Sequence, residues 1–354
     1  MSEPTRTGEA VRHATITGVG GYRPRRVVTN EEVCRHVDSS DAWIRRRTGI
    51  TSRRFAQPDE TLEVMAAAAV EKALAAAGVA ADQVGVVVAA TMSYLFQAPP
   101  LAARVAALLD GFDGAAFDVS AACAGFCHAL ELARALVASG SADHVVVVGA
   151  ERMSDIVDPA DRSTAFIFGD GAGAVVVSAA REPGVRPAVW GSDPSGADAI
   201  AQPDAWSCGP DGPDGPDGPD GPDGPAGPGG PDGPEGGDRH LRMRGPEVLH
   251  WVAGAMPEVA VGALARAGLA REDLAAFVPH QANLRMVESL ATALALPDHV
   301  RVARDIVETG NTSAASIPLA LESLLAGGDL SGRPALLMGF GSGLGYCAQV
   351  VTLP

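Results

Sequence analysis

Three short segments gather residue types that can do acyl chemistry. Residues 116–136 read AFDVSAACAGFCHALELARAL. An apolar strand pattern ends at Val119, small residues turn the chain, and a helix with Leu130, Leu132 and Leu136 on its apolar side starts near Cys123. A thiol placed there meets the macrodipole and free amides of a helix N-terminus, which favour the thiolate and are expected to lower its pKa. Cys123 is therefore a candidate nucleophile, although taken alone it reads more readily as a small buried hydrophobe. Cys127, one turn further along, is expected only to pack. Residues 278–285, VPHQANLR, put His280 and Asn283 directly after a strand, and residues 308–316, ETGNTSAAS, put Asn311 in a glycine-containing turn ahead of a helix. A histidine and a carboxamide at the ends of adjacent strands can both donate hydrogen bonds to one substrate oxygen. His280 by itself would read as a satisfied core histidine, and it gains weight from the internal repeat that positions it.

That repeat has an offset of 190 residues: ALAAAGVAADQV at 73–84 returns as ALARAGLAREDL at 263–274. Gly78 and Gly268 are the expected helix stops. The strands that follow, 85–90 and 275–279, are continuous apolar runs of the kind buried on both faces. HVVVVG at 144–149 is answered by ALLMG at 335–339, and GDGAGAVVVSA at 169–179 by GLGYCAQVVTL at 343–353. Four elements recurring in one order predict an α/β protein made of two copies of one unit packed face to face. The halves are expected at 1–180 and 241–354, with a connecting region at 181–240.

The composition has to be mapped before it is read. The chain has 354 residues and a formal net charge of −16. Residues 209–236, GPDGPDGPDGPDGPDGPAGPGGPDGPEG, alone hold 11 of the 42 Gly, 9 of the 26 Pro and seven acids. Without those acids the charge is −9. The run has a glycine every third residue but nothing apolar to bury, so it is expected to be an extended, disordered loop rather than a triple helix. The remainder is long enough to bury a large core. An acidic chain without a block of Lys and Arg is a poor nucleic-acid binder. No stretch approaches about 20 uninterrupted apolar residues, and the polar N-terminus lacks an apolar signal core, so no membrane association and a cytoplasmic location are expected. Five scattered cysteines without CxxC spacing argue against a disulfide framework and against a metal site.

DVSAACAGF, PHQANLR and ETGNTSAASIPLAL, in this order and spacing, resemble the cysteine, histidine and asparagine motifs of the 3-oxoacyl-acyl-carrier-protein synthase III family. The resemblance runs from TGVGGYRP at 17 to the C-terminus, the Gly-Pro-Asp run excepted. It implies the thiolase fold, two α/β halves in five αβαβα layers, and a homodimer. It implies that Cys123 takes an acyl group from acyl-CoA, that His280 and Asn311 bind the thioester carbonyl of malonyl on an acyl carrier protein, and that loss of CO2 gives the carbanion that attacks the acyl-cysteine. No cofactor or metal is implied. The backbone amides of Cys123 and of Ser342, in GFGSGLG, would form the oxyanion hole; without the resemblance that glycine-rich stretch reads as a tight turn between strands. Trp43 and Arg47 in DAWIRRRTGI, with Arg162 in DPADRSTAFIFGDGAG, would sandwich the CoA adenine and bind phosphate, a pairing suited to a purine face. Asn283 and Arg285 would support the site and bind the carrier arm.

Two departures from the family pattern stand out. Basic positions expected to meet an acidic carrier are partly filled by His250 and neutral residues, while Arg239, Arg242, Arg244 and Arg285 remain. At the position from which the family closes the partner's acyl pocket across the dimer stands Ala98, which predicts starters larger than acetyl. Two other readings stay open: acyl transfer without decarboxylation, and an inactive scaffold whose Gly-Pro-Asp run binds partners.

Overall fold

The computed structural model describes residues 12–204 and 238–354. The Gly-Pro-Asp run and its expected disorder lie outside the described residues, as does Cys208. The first half starts with β1 (His13–Tyr22), followed by β2 (Arg26–Thr29), α1 (Asn30–Val33), α2 (Asp41–Thr48) and β3 (Ser52–Phe55). It continues through α3 (Leu62–Ala77), β4 (Val86–Ala90), α4 (Leu101–Ala106), β5 (Ala115–Val119), α5 (Gly125–Ala138), β6 (His144–Glu151) and β7 (Gly171–Ala180). Next come β8 (Val189–Ser192), β9 (Ile200–Ala201), β10 (Arg242–Met243), α6 (Gly245–Ala267), β11 (Ala276–Pro279) and α7 (Leu284–Ala293). The chain ends with β12 (Arg301–Val302), α8 (Ile306–Thr309), α9 (Ser316–Ala326), β13 (Pro334–Gly341) and β14 (Gly345–Thr352).

The duplication is visible in the strand ladders. One sheet has the order β5-β4-β6-β7-β1 and the other β12-β11-β13-β14-β8. In both, the first two pairings are parallel and the last two antiparallel. β6 and β13 span 144–151 and 334–341, which keeps the offset of 190 at both ends. The second sheet draws its last strand, β8, from the stretch 181–240 that was read as connection. Gly78 and Gly268 end α3 and α6 with φ of 64° and 68°, the left-handed turn that an L side chain resists.

Helices α5 and α9 lie between the two sheets, α3 and α4 cover the outside of the first, and α6 and α7 cover the outside of the second. The result is five layers, αβαβα. The apolar runs follow from this. In β6, Val145 and Val147 face the central helices while Val146 and Val148 face α3 and α4. Each such valine contributes about 1.5–3 kcal/mol by burial, so a polar residue on these strands is costly unless it has partners. Helix α6 is 23 residues long and apolar enough by composition to cross a membrane, which a search for uninterrupted runs misses because Glu258 and Pro257 break it. Val252, Met256, Ala260 and Ala263 on one side of it are buried in the cluster formed with the second sheet.

Candidate active site

The nucleophile motif folds into a single 3-10 turn, Ala122–Ala124, between β5 and α5, so Cys123 precedes the α-helix by one turn. Ala122 enters that turn with φ of 44°. The asparagine motif repeats the device: Ser313 has φ of 47° and opens the 3-10 turn Ser313–Ala315 ahead of α9. A left-handed residue other than glycine costs about 1–2 kcal/mol, and the same cost recurs at equivalent places in both halves. Gly341, at the end of β13, packs against this elbow. A Cβ there would lie 2.9 Å from the Cys123 Cβ and 3.0 Å from its amide nitrogen, so glycine is required by close approach.

Cys123, His280 and Asn311 line one cavity of about 390 Å³. They are 7%, 2% and 5% exposed, whereas Arg47, Arg162, Arg244 and Arg285 of the same cavity are exposed, so a channel runs from the buried trio to a rim of arginines. Ser342 also lines it, and its hydroxyl donates to the Ile200 carbonyl at 2.6 Å. Trp43, in the first turn of α2, is held edge-on to Phe166 at 5.2 Å, and the Arg162 guanidinium lies 5.5 Å from the Trp43 ring centre. The two expected faces of a purine sandwich are therefore stacked on each other. Asn283 lines the cavity but uses its side-chain oxygen to cap α7, accepting from the Arg285 amide at 2.9 Å. Ala98 is not part of this cavity; it lies exposed on the loop before α4.

The expected lowering of the cysteine pKa is not found. Burial pushes the Cys123 thiol up to about 12, and the Glu151 carboxylate adds to the rise. The helix terminus favours the thiolate, but loss of hydration and a nearby anion outweigh it. Burial also pushes Cys127 up to about 12; it packs under Gly339, as its packing role requires. His280 moves the other way. Burial lowers it to about 3, so the ring is neutral at pH 7. Its Nδ1 lies 2.7 Å from the Ser316 hydroxyl, and the ring packs edge-to-face with Phe340 at a centroid distance of 5.3 Å.

Asn311 is tied across the seam between the halves. Its amide donates to the Ile167 carbonyl at 2.9 Å and its carbonyl accepts from Gly169 at 3.0 Å. The left-handed Ser313 turns its own amide onto Asn311 Oδ1 at 2.8 Å. That leaves the Asn311 NH2 free to donate into the cavity.

Two buried ionisable residues that support the site went unread in the sequence, and burial pushes the carboxyl of the first, Glu151, up from the usual carboxylate range. Glu151, 0% exposed at the end of β6, accepts from the amides of Met92, Ser93 and Ala314 and from the hydroxyls of Thr91 and Ser93. It thus joins the loop after β4 to the turn after Asn311, and its only signal was an acid ending the run HVVVVGAE. Arg53, also 0% exposed, donates to the Phe166 carbonyl at 2.7 Å and fixes the wall that carries Ile167 and Phe168. Burial lowers it to about 10, still protonated at neutral pH. Arg244 at the rim, read in the sequence only as part of a docking patch, also lines the cavity.

The family model described as 3-oxoacyl-[acyl-carrier-protein (ACP)] synthase III matches residues 117–194, and its C-terminal counterpart matches 264–353. The beta-ketoacyl-[acyl-carrier-protein] synthase III 1 of Streptomyces coelicolor is 48% identical over 343 residues, 97% of each chain. Among solved structures, the priming β-ketosynthase of the R1128 polyketide biosynthetic pathway superposes with a TM-score of 0.88, at 44% identity over 99% of both chains. The 3-oxoacyl-[acyl-carrier-protein] synthase III of Aquifex aeolicus gives 0.83 at 34% identity, over 96% of this chain and 99% of its own.

Proposed function

The chain belongs to the 3-oxoacyl-[acyl-carrier-protein] synthase III family, and from that premise we infer how its own residues carry out the reaction. It is an acyltransferase of the condensing type, acting at the start of fatty acid or polyketide synthesis with acyl-CoA and acyl carrier protein. In our reading Cys123 attacks the acyl-CoA carbonyl, forming the Sγ–acyl bond and releasing CoA as its thiol. The backbone amides of Cys123 and Ser342 receive the oxyanion of that step. Trp43, Arg47 and Arg162, with Arg244 beside them, hold CoA at the rim; Asn283 and Arg285 face the carrier arm.

Malonyl on the carrier enters next, with its thioester oxygen between His280 and Asn311. The electron pair of the breaking C–CO2 bond moves into an enolate, and the two N–H donors meet its charge. One donor aimed at such an oxygen lowers the barrier by about 3–4 kcal/mol. The carbanion attacks the acyl carbonyl on Cys123, the sulfur leaves and takes a proton from solvent, and the 3-oxoacyl chain stays on the carrier. No resident cofactor enters, because decarboxylation itself supplies the carbanion.

The observation that carries this reading is the convergence of a buried thiol, a neutral imidazole and a carboxamide on one cavity rimmed by arginines. Its test is intact-protein mass spectrometry with acyl-CoA: the wild type gains one acyl group and Cys123→Ala gains none. Acylation of Cys123→Ala would refute the assignment. Transfer without decarboxylation would need no donor pair opposite the thiol, and CO2 release from malonyl-carrier protein separates the two readings.

We also propose a cytoplasmic homodimer. Among the described residues, strand β5 ends its sheet with one edge unpaired and with Phe117 exposed, and Leu95 and Phe96 on the loop before α4 are 43% and 66% exposed. An apolar patch beside an open strand edge suits pairing with a second copy. Ala98 on the same loop would then face the partner's acyl pocket and leave room for starters larger than acetyl. Sedimentation equilibrium at micromolar concentration tests the dimer, and a panel of acyl-CoAs the pocket.

A further inference from the structure

We infer that Ser316 is a positioning residue that places the single ring proton of His280 on Nε2, the nitrogen turned from Ser316 and available to substrate. This rests on the reading of His280 and Asn311 as the donor pair. His280 and Ser316 are each 2% exposed, so water does not replace the contact between them. Ser316 Oγ is 2.7 Å from His280 Nδ1 and accepts from the Gln281 amide at 3.3 Å. Suppose the ring proton were on Nδ1. Oγ would then accept twice, and the hydroxyl proton would have no acceptor among the described residues. Nε2 would be a bare lone pair, which repels an enolate oxygen.

With the hydroxyl donating to Nδ1, each buried group has a partner and Nε2 carries the hydrogen. The ring cannot escape the choice by taking two protons, since it is neutral at working pH. Its backbone is fixed as well. The His280 amide bonds to the Met338 carbonyl at 2.7 Å, and the buried Gln281 side chain donates to the Pro279 carbonyl and accepts from the Ile306 amide. Asn311 is oriented in the same manner, its oxygen occupied by the Ser313 amide. One turn at the start of α9 therefore sets the donor direction of both groups: Ser313 through its left-handed backbone, Ser316 through its hydroxyl.

The decisive measurement is the 15N spectrum of the full-length protein labelled in histidine. His280 is identified as the resonance pair missing from His280→Asn and unmoved between pH 5 and 8. The expected spectrum has Nε2 pyrrole-like and Nδ1 pyridine-like; the reverse overturns the inference without any variant having to fold. In Ser316→Ala the pair should move toward the average of the two tautomers. CO2 release from malonyl-carrier protein should fall about tenfold, the size of one lost neutral hydrogen bond, mainly in kcat. Acylation by acyl-CoA should fall less, and Ser316→Thr, which keeps the hydroxyl, should restore both spectrum and rate. Unchanged tautomer populations in Ser316→Ala also overturn it. Absence of CO2 release from the wild type would instead defeat the condensing role of His280, and the spectrum would still decide the tautomer.

Discussion

Burial moves two titratable groups deep in the cavity, Cys123 and His280, in opposite directions, and each shift has a measurable sign. For Cys123 the neutral thiol is favoured up to about pH 12. Alkylation by iodoacetamide, followed by mass spectrometry, should therefore rise tenfold per pH unit from 7 to 9 without levelling; a plateau below pH 8 would show that the helix terminus outweighs burial. For His280 the native pKa of about 3 lies below the unfolded value of 6.5. The unfolded chain thus binds a proton that the native state refuses as pH falls from 6.5 toward 3. The stability that His280 contributes is complete above 6.5 and is lost below it, at up to about 1.4 kcal/mol per pH unit. Between pH 7 and pH 5 the wild type should lose about 2 kcal/mol more than His280→Asn in urea unfolding. Equal losses would mean that the ring takes up a proton while folded.

At the scale of elements, the site depends on two strand-to-helix turns meeting the end of β13. Gly341→Ala tests that meeting. The added methyl would press on backbone and Cβ of Cys123, neither of which is a movable side-chain tip. The expected cost is about 1–3 kcal/mol of stability and about a hundredfold in the rate of Cys123 acylation, the usual penalty for displacing a reacting group by about 1 Å. Normal acylation in a folded Gly341→Ala would show that the turn has slack. The strands and their duplication could be read in advance because burial on two faces demands unbroken valine and alanine, and because Gly78 and Gly268 mark equivalent helix ends 190 residues apart. The turns could be placed but not shaped. Ala122 and Ser313 are residue types that avoid positive φ; the two turns pack on each other across the halves, and the Ser313 amide bonds Asn311 Oδ1. Glu151, Arg53 and Ser316 were passed over for a related reason. Their meaning lies in partners 58 to 163 residues away for Glu151, 113 for Arg53 and 36 for Ser316, and no local pattern records such partners. Trp43, Arg47, Arg162, His280 and Asn311 could be singled out because the motifs around them are long, and the fold brings all five to one cavity.

At the scale of the whole molecule, the Gly-Pro-Asp run is remote from Cys123 in sequence, yet the described residues that flank it are not remote in space. Ile200 of β9, with Leu241 and Met243 at β10, lines the same cavity as the thiol. The flanks are joined independently of what lies between them. β9 pairs with β10, and the Asp204 amide donates to the Asp238 carbonyl at 3.2 Å. Arg242 is clamped by Asp238, Asp161 and Asp158, which ties the ladder to the loop bearing Arg162. Because Asp204 and Asp238 already meet, removing residues 209–236 leaves five residues, 205–208 and 237, to close a gap that a tight turn can span. Closure cost grows only with the logarithm of length, so this shortening should raise stability by about 1–2 kcal/mol. The deletion variant should therefore keep its acylation rate, with KM for acyl-CoA unchanged. Arg242→Ala, with the full chain present, should raise that KM by loosening the Arg162 loop while leaving Cys123 acylation at saturating acyl-CoA nearly intact. Both follow from one claim, that the rim is built by the ladder and its arginine clamp. A deletion variant that loses acylation while Arg242→Ala behaves as wild type would show that the run itself, and not its anchors, builds the rim.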